Sequence, residues 1–330
     1  MFAHDGCGGR AIRSYIAQRL AFGLISLVLL TMIVYASAQV LPGDPGRQVL
    51  GREATPAAVH EFNQRIGYYD PLPVRYWHWL ENAVQGDFGA SYTDGRPVTD
   101  DLVPALQKSG FLALFAFLLC VPLGILGGVV AALRRGKLSD RAITITGLSF
   151  AVMPEFVNAT LLQTGFAAGK PFKWFPEIAG SLLGASLVTR VNALFLPAVA
   201  VALVLFGYIA RIARAGTIEA LSADYTRTAT LKGMPRNLVL RRHVIRNAIL
   251  PTIAVVATQT GYLFGGLVAI EKFFGYPGIG QLILSAAQIK NFPMLQACVL
   301  VVGVIYFSAT LFGDILSAAL NPRIRLGKSS

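Results

Sequence analysis

Charge is what this chain has least of. Asp, Glu, Lys and Arg make up 14% of its 330 residues and hydrophobic residues 54%, whereas a soluble domain carries about 25% charged residues. A soluble globular fold is excluded, and the chain belongs in a membrane. Cysteine is equally scarce. Cys7, Cys120 and Cys298 show no CxxC spacing and two of them lie inside apolar runs, which fits small core residues rather than disulfides or ligands. His4, His60, His78 and His243 are too scattered to form a metal-ligand pattern. Phosphate-loop chemistry is missing as well. Gly136-Lys137 has Ala131 where the first glycine of Gly-x-x-x-x-Gly-Lys-Ser/Thr is needed, and Gly169-Lys170 has Thr164 there with Pro171 following. The chain has no usual means of binding ATP, and neither a nucleophile elbow nor a His-Glu-x-x-His helix points to catalysis. No cofactor or metal is expected in it.

Long apolar runs are what the chain does have. The first, Leu20 to Leu41, follows Arg10, Arg13 and Arg19 and is long enough to cross a ~30 Å hydrocarbon core. A signal peptide shares this charged-then-apolar order, but the run is long for one, and Gln39 to Asp44 offers no convincing cleavage site. Further runs at Ser109–Leu133, Ala142–Ala168, Leu194–Ala210, Ile249–Ile270 and Met294–Leu320 bring the expectation to six transmembrane helices in an all-α membrane protein. The third contains Glu155 and the sixth Asp314. An acid inside a span is costly and defaults to a functional hypothesis. Glu155 beside Pro154 has three readings: facing a polar pathway, capping a broken helix, or pairing with a neighbouring subunit.

Orientation follows from the basic residues. With the N-terminus in the cytoplasm, the inner segments (1–19, 134–141, 211–246 and 321–330) hold 18 of the 29 Lys and Arg, in less chain than the outer segments. The net charge of +12 therefore reads as topology and not as nucleic-acid binding. Both termini are placed inside, the tail being 321–330. Residues 42–108 form an external lobe, with one short amphipathic helix expected from Ala57 to Ile66, and 109–320 form the core.

Within that core the cytoplasmic segment 211–248 carries the most distinctive stretch, Asp224 to Pro251. Asp224, like Ser222, is a good N-cap for a helix over Tyr225–Lys232. Gly233 offers a left-handed C′ position before Met234, and Pro235 suits the start of a second helix. Leu238, Ile245 and Ile249 would form that helix's apolar stripe, with Arg241, Arg242, His243 and Arg246 at the headgroups. An ordinary connector at the membrane surface would share those basic residues.

These residues resemble the cytoplasmic loop of ATP-binding-cassette (ABC) importer permeases, more narrowly the B-type subunit of the oligopeptide/dipeptide/nickel family. Its pattern is Asp-Tyr-x-Arg-Thr-Ala-x-x-Lys-Gly followed by Arg-His-x-x-Arg-Asn-Ala-x-x-Pro. Here it is met by Asp224, Tyr225, Arg227, Thr228, Ala229, Lys232 and Gly233, then by Arg242, His243, Arg246, Asn247, Ala248 and Pro251. The resemblance implies that the first helix couples to a cleft in a separate ATPase subunit, with small Ala229 letting the partner's backbone approach. It also implies two such ATPase subunits holding ATP and Mg, a second permease chain, an external solute-binding protein and a location in the inner membrane among its lipids.

The likeness runs from Leu41 to Arg325. It takes in Leu41-Pro42-Gly43-Asp44-Pro45, Gly67, Asp70-Pro71-Leu72 with Tyr76 and Trp79-Leu80, Gly86-Asp87-Phe88-Gly89 with Ser91, and Asn321-Pro322-Arg323-Ile324-Arg325. Glu271, Phe273, Phe274, Pro277, Gly278 and Gly280 resemble the family's external Glu-x-x-Phe-x-x-Pro-Gly-x-Gly motif. Its reading is either a gate lining leading into a helix over Gln281–Lys290 or a capped loop without substrate contact. Asn321, Asn291-Phe292-Pro293 and Gln107-Lys108-Ser109 depart from the usual family residues. Peptide is the cargo the resemblance implies, with nickel chelates, glutathione or haem open. An ion-coupled secondary transporter or a non-transporting receptor would also account for apolar spans, but the first predicts inverted repeats that the sequence does not display.

Overall fold

The computed structural model describes residues 5–40, 44–51, 53–167, 174–180 and 186–320. Among these residues all regular structure is helical, save two isolated bridges. The long helices are α1 (Asp5–Val40), α5 (Val98–Leu133), α8 (Leu187–Ser222), α11 (Arg246–Phe273) and α13 (Phe292–Leu320). Between them lie α2 (Pro45–Leu50), α3 (Pro56–Arg65), α4 (Leu72–Val84), α6 (Leu138–Val152), α7 (Glu155–Phe166), α9 (Asp224–Leu231), α10 (Arg236–Val239) and α12 (Ile279–Gln288). Four described helices are long and apolar enough to cross a membrane, and six spans result when each of two bent pairs counts as one. The all-α membrane fold stands.

Several expected boundaries move. The third run is not one straight span, because α6 and α7 meet at 113°. Proline explains the break: Pro154 has no N–H to continue the ladder, and it holds Met153 in an extended conformation at ψ 136°. The fourth run, short by hydropathy, is the middle of the 36-residue α8. Helix α5 begins at Val98, so the boundary at residue 108 falls inside a helix. The fifth run is bent by 54° between Arg236–Gln259 and Leu263–Phe273. Leu41 to Gly43 and the Asn321 to Arg325 ending lie outside the described residues.

The chain divides into two compact units. The first comprises residues 1–21, 111–276 and 306–330, and α8 is its axis. Leu194, Leu196, Ala198, Val201, Leu205 and Ile209 of α8 are buried, together with Leu112, Ala116 and Cys120 of α5 and Leu263, Leu267 and Ile270 of α11. Small residues bring these helices together, as expected where lipid removes the hydrophobic drive between them. A β-carbon on Gly207 would overlap the Gly147 carbonyl oxygen, and one on Gly128 would sit 2.5 Å from the Ala210 carbonyl oxygen. At the start of α6, the Arg214 guanidinium donates to both oxygens of Asp140 at 2.7 and 2.9 Å, and the Gly136 amide donates to the same carboxylate. Arg19 and Asp314 form a second ion pair at 3.2 Å.

The second unit comprises residues 22–110 and 277–305. Its core joins Val98 and Leu102 of α5 to Ile279 and Ala286 of α12 and to Met294, Ala297 and Cys298 of α13. The expected lobe helix appears as α3, but α2 and α4 are additional. Asp44 caps α2 by accepting from the Gly46 and Arg47 amides, and Asn63 reaches back to Asp44 at 2.7 Å. Two of the departures from the family pattern have structural uses here. The Asn291 side chain donates to the Ser91 hydroxyl at 2.9 Å and accepts from the Tyr92 amide at 3.2 Å, a donor-plus-acceptor role closed to an ionised aspartate. The buried Ser109 hydroxyl accepts the Ile279 amide at 2.7 Å, satisfying an orphan donor at the start of α12.

Gly207→Ala is expected to lower the unfolding midpoint of the detergent-solubilised chain, at a cost of about 1–3 kcal/mol for forcing α6 off α8. Gly165→Ala, where an added methyl meets nothing within 4 Å, serves as the helix-favouring control. Equal midpoints for the two variants would refute the close-packing account.

Candidate functional site

The stretch singled out in the sequence folds as a helix, a tight turn and a second helix, with changes to its cap, its apolar stripe and the direction of Ala229. Helix α9 starts at Asp224, with Ala223 as the N-cap and no side-chain cap. Asp224 thus sits in the first turn, and its charge favours the helix through the dipole and not as a cap. Ser222 turns away, donating to the Ile218 and Glu219 carbonyls of α8. At the other end Gly233 has φ +76°, the left-handed value expected. Its amide donates to Thr230 O at 3.0 Å and the Met234 amide to Ala229 O at 3.3 Å, the paired bonds of a Schellman turn.

The apolar stripe also differs from expectation. Val239, Val244 and Ala248 are buried with Ala220 and Ala229, while Leu238 is exposed and Ile245 and Ile249 are only partly covered. A π-helical turn at Leu240–Ile245 is the reason. Its wider winding rotates the following residues relative to a 3.6-residue period, so the buried positions fall five and four apart. Gly216 of α8 admits the close approach of this segment: a β-carbon there would lie 2.7 Å from the Ala248 carbonyl oxygen.

Ala229 therefore does not face outward for a partner's backbone. It packs inward at 5% exposure, and Thr226 beside it is buried and donates to the Ala220 carbonyl at 2.7 Å. The exposed residues of α9 are Asp224, Tyr225, Arg227, Thr228, Thr230 and Leu231, followed by Lys232 at the C-cap and Gly233 in the turn. Leu231, at 79% exposure, is the largest unpaired apolar group on the helix. Arg242, Arg246 and Asn247 are exposed, His243 is partly covered, and Asn247 donates to the His243 carbonyl at 2.7 Å.

Glu155 lies at the break, as the first residue of α7. It lines a cavity of about 330 Å³ together with Met153, Tyr208, Gln259, Leu263 and Gly266. The missing side chain of Gly266 matters: a β-carbon there would come 3.3 Å from a Glu155 carboxylate oxygen. Tyr208 and Gln259 are members the sequence analysis missed, although a polar side chain inside an apolar run is the same kind of signal that flagged Glu155.

The Glu271 motif is divided by the unit boundary after Tyr276. Glu271 and Phe274 are buried and Phe273 is partly buried in the first unit. Gly275 takes φ +62°, and Phe274 O accepts the Ala179 amide at 2.9 Å. Burial pushes the Tyr276 phenol up from its usual range, and the Glu271 carboxylate adds to the shift. In the second unit Pro277 and Gly278 lead into α12, which runs over Ile279–Gln288 and contains buried Gly280. Helix α12 starts two residues earlier than expected and ends two earlier.

Residues 124–326 match the family model described as "Binding-protein-dependent transport system inner membrane component". Residues 12–106 match its N-terminal counterpart, "Binding-prot-dependent transport system membrane comp, N-term". The chain is 31% identical over 315 residues to the glutathione transport system permease protein GsiC of Escherichia coli K12, covering 94% of this chain and 99% of that protein. It is 32% identical over the same coverage to the GsiC protein of Shigella boydii serotype 4. Among solved structures, an amino acid ABC transporter crystallised with histidines aligns over 68% of this chain and 94% of its own, at a TM-score of 0.46 and 18% identity. With both family models and near-full-length relatives in agreement, this chain belongs to the binding-protein-dependent ABC importer permeases of the peptide/nickel family.

Proposed function

We propose that this permease subunit imports peptides and that α9 is the lever through which ATP-driven motion reaches the spans. One observation carries the second half of this reading. Helix α9 is fastened to its own chain on one side, by the Thr226 hydrogen bond and the inward packing of Ala229 against Val239 and Val244, while its other side is exposed. A helix so fixed transmits a push as a rigid body. The Schellman turn at Gly233 keeps it short and compact.

In this mechanism two cytoplasmic ATPase subunits hold ATP and Mg and close around it. Each grips one permease chain through the outward face of Tyr225, Arg227, Thr228, Leu231 and Lys232. Arg242, Arg246 and Asn247 lie at the rim of that contact. A second, similar permease chain completes the pathway, an external solute-binding protein delivers cargo, and both termini face the cytoplasm. ATP biases the spans toward one state because it binds the closed ATPase pair more tightly than the open one. The pathway side of this chain is the Glu155 cavity, where a carboxylate with Tyr208 and Gln259 offers hydrogen bonds to a peptide's backbone and ammonium group. The Glu271 to Gly280 loop forms an outer packing element of the gate. GsiC is named as a glutathione permease. Glutathione is itself a small peptide with free carboxylates, so it belongs in the same cargo screen.

The test is uptake of labelled peptide by proteoliposomes containing the assembled complex. Leu231→Glu is expected to reduce ATP-dependent uptake about tenfold or more, the loss typical of an anchor at an interface centre, while leaving the chain's unfolding midpoint unchanged because the side chain is exposed. Undiminished uptake would remove the lever assignment. Glu155→Gln is expected to raise the apparent KM for peptide several-fold with ATP hydrolysis retained. An unchanged KM would place Glu155 outside the pathway, and uptake driven by an ion gradient without ATPase subunits would refute the ABC mechanism itself.

A further inference from the structure

The second unit holds a larger cavity that none of the above uses. It has a volume of about 850 Å³ and is walled mostly by residues between Pro45 and Gly95, with Tyr35 of α1 and Phe292, Pro293 and Gln296 of α13, a size at the upper end of the range for small-ligand sites. Arg75 of α4 is its most informative member. Its guanidinium lies 4.8 Å from the Tyr68 ring centroid, and among the described residues it has no carboxylate within ion-pairing distance. The cation is half-buried and held by an aromatic face, which leaves its forked donors for a planar anion.

The remaining walls complete a pattern. Tyr92 and Trp79 supply apolar faces with a polar edge, and Asp70 and Asp87 supply negative charge to the same cavity. Trp79 is locked in place by Tyr35, with ring centroids 5.5 Å apart, and Tyr76 beside it is tied to Thr31 by a 2.7 Å hydrogen bond. The Tyr92 amide is held by Asn291. These supports keep the cavity's shape without a ligand, a condition that lowers the cost of binding. Cation, anions and aromatic walls in one cavity match a small zwitterion with apolar groups between its charges.

We infer that this cavity is an external subsite for a short peptide, with the peptide's terminal carboxylate on Arg75 and its apolar side chains against Trp79 and Tyr92. The inference rests on the peptide-import reading for the choice of ligand. Its physical basis is the Arg75 guanidinium, which has no carboxylate in ion-pairing distance among the described residues, in an aromatic-walled cavity whose other guanidinium, Arg65, is paired with Glu61.

The experiment is a titration of the full chain in lipid nanodiscs with trialanine and with trialanine amide, read by calorimetry and by Trp79 fluorescence. Trp77→Phe and Trp174→Phe leave Trp79 as the single reporter, since Trp77 and Trp174 are exposed and outside the cavity. Saturable binding of trialanine is expected, with about tenfold weaker binding of the amide and of trialanine to Arg75→Gln. Arg75→Lys is expected to recover part of the loss, because it restores charge without the fork. Three results would overturn the subsite: no saturable signal, equal affinity for acid and amide, or an Arg75→Gln variant with unchanged affinity and an unchanged unfolding midpoint. Parallel uptake assays separate the two readings. ATP-driven peptide uptake without nanodisc binding removes the subsite alone, and binding without uptake removes peptide import alone.

Discussion

Backbone approach between helices is the constraint on which the first unit depends. In lipid, apolar side chains gain little by leaving the solvent for one another, so helices hold through dispersion contacts that only close spacing permits. Gly147 against Gly207 and Gly128 against Ala210 create that spacing at neighbouring positions on α8, for α6 and α5 respectively. The buried alanines and leucines of α8 then fill the remaining volume. At the start of α6 a different bond takes over: Arg214 and Asp140 pair through a forked geometry that fixes orientation as well as distance.

Two irregularities on this scaffold create the features proposed to be functional. Pro154 breaks the third span and leaves Glu155 at the head of a new helix, where an acid is compatible with the helix dipole and opens onto a cavity. The π-helical turn at Leu240–Ile245 breaks the period of the other element. By rotating the chain it brings Val244 and Ala248 inward beneath α9, so that α9 has a packed side and a free side. Irregular backbone at functional positions is expected where regular winding would aim side chains elsewhere.

The second unit follows a different logic. Its elements are short, and side-chain hydrogen bonds hold them: Asn63 to Asp44, Thr31 with Tyr76, and Asn291 to Ser91. Asn291 ties sequence positions 200 residues apart. Such a network gives a pocket its fixed walls, because each wall residue is oriented by a partner outside the pocket.

Much of this was legible beforehand. Low charge and long apolar runs determine a membrane protein, since burying uncompensated charge in hydrocarbon is costly. Gly233 announced its turn because only glycine takes φ +76° without strain. The motif from Asp224 to Pro251 determined the family. Other features were decided by tertiary structure alone. Ala229 has the size for either a partner's cleft or its own core, and only packing against Val239 and Val244 chose the core. Leu238 and Val239 are both apolar, and the period that picks between them changes when a π-turn intervenes, which a fixed 3.6-residue pattern cannot register. Arg75 is one of 29 basic residues by sequence. Its place beside Tyr68 follows locally from α4 folding over the turn before it, but the cavity it faces takes its other walls from Tyr35, from Asp87 to Tyr92 and from Phe292 to Gln296, and no local pattern in the chain brings those together.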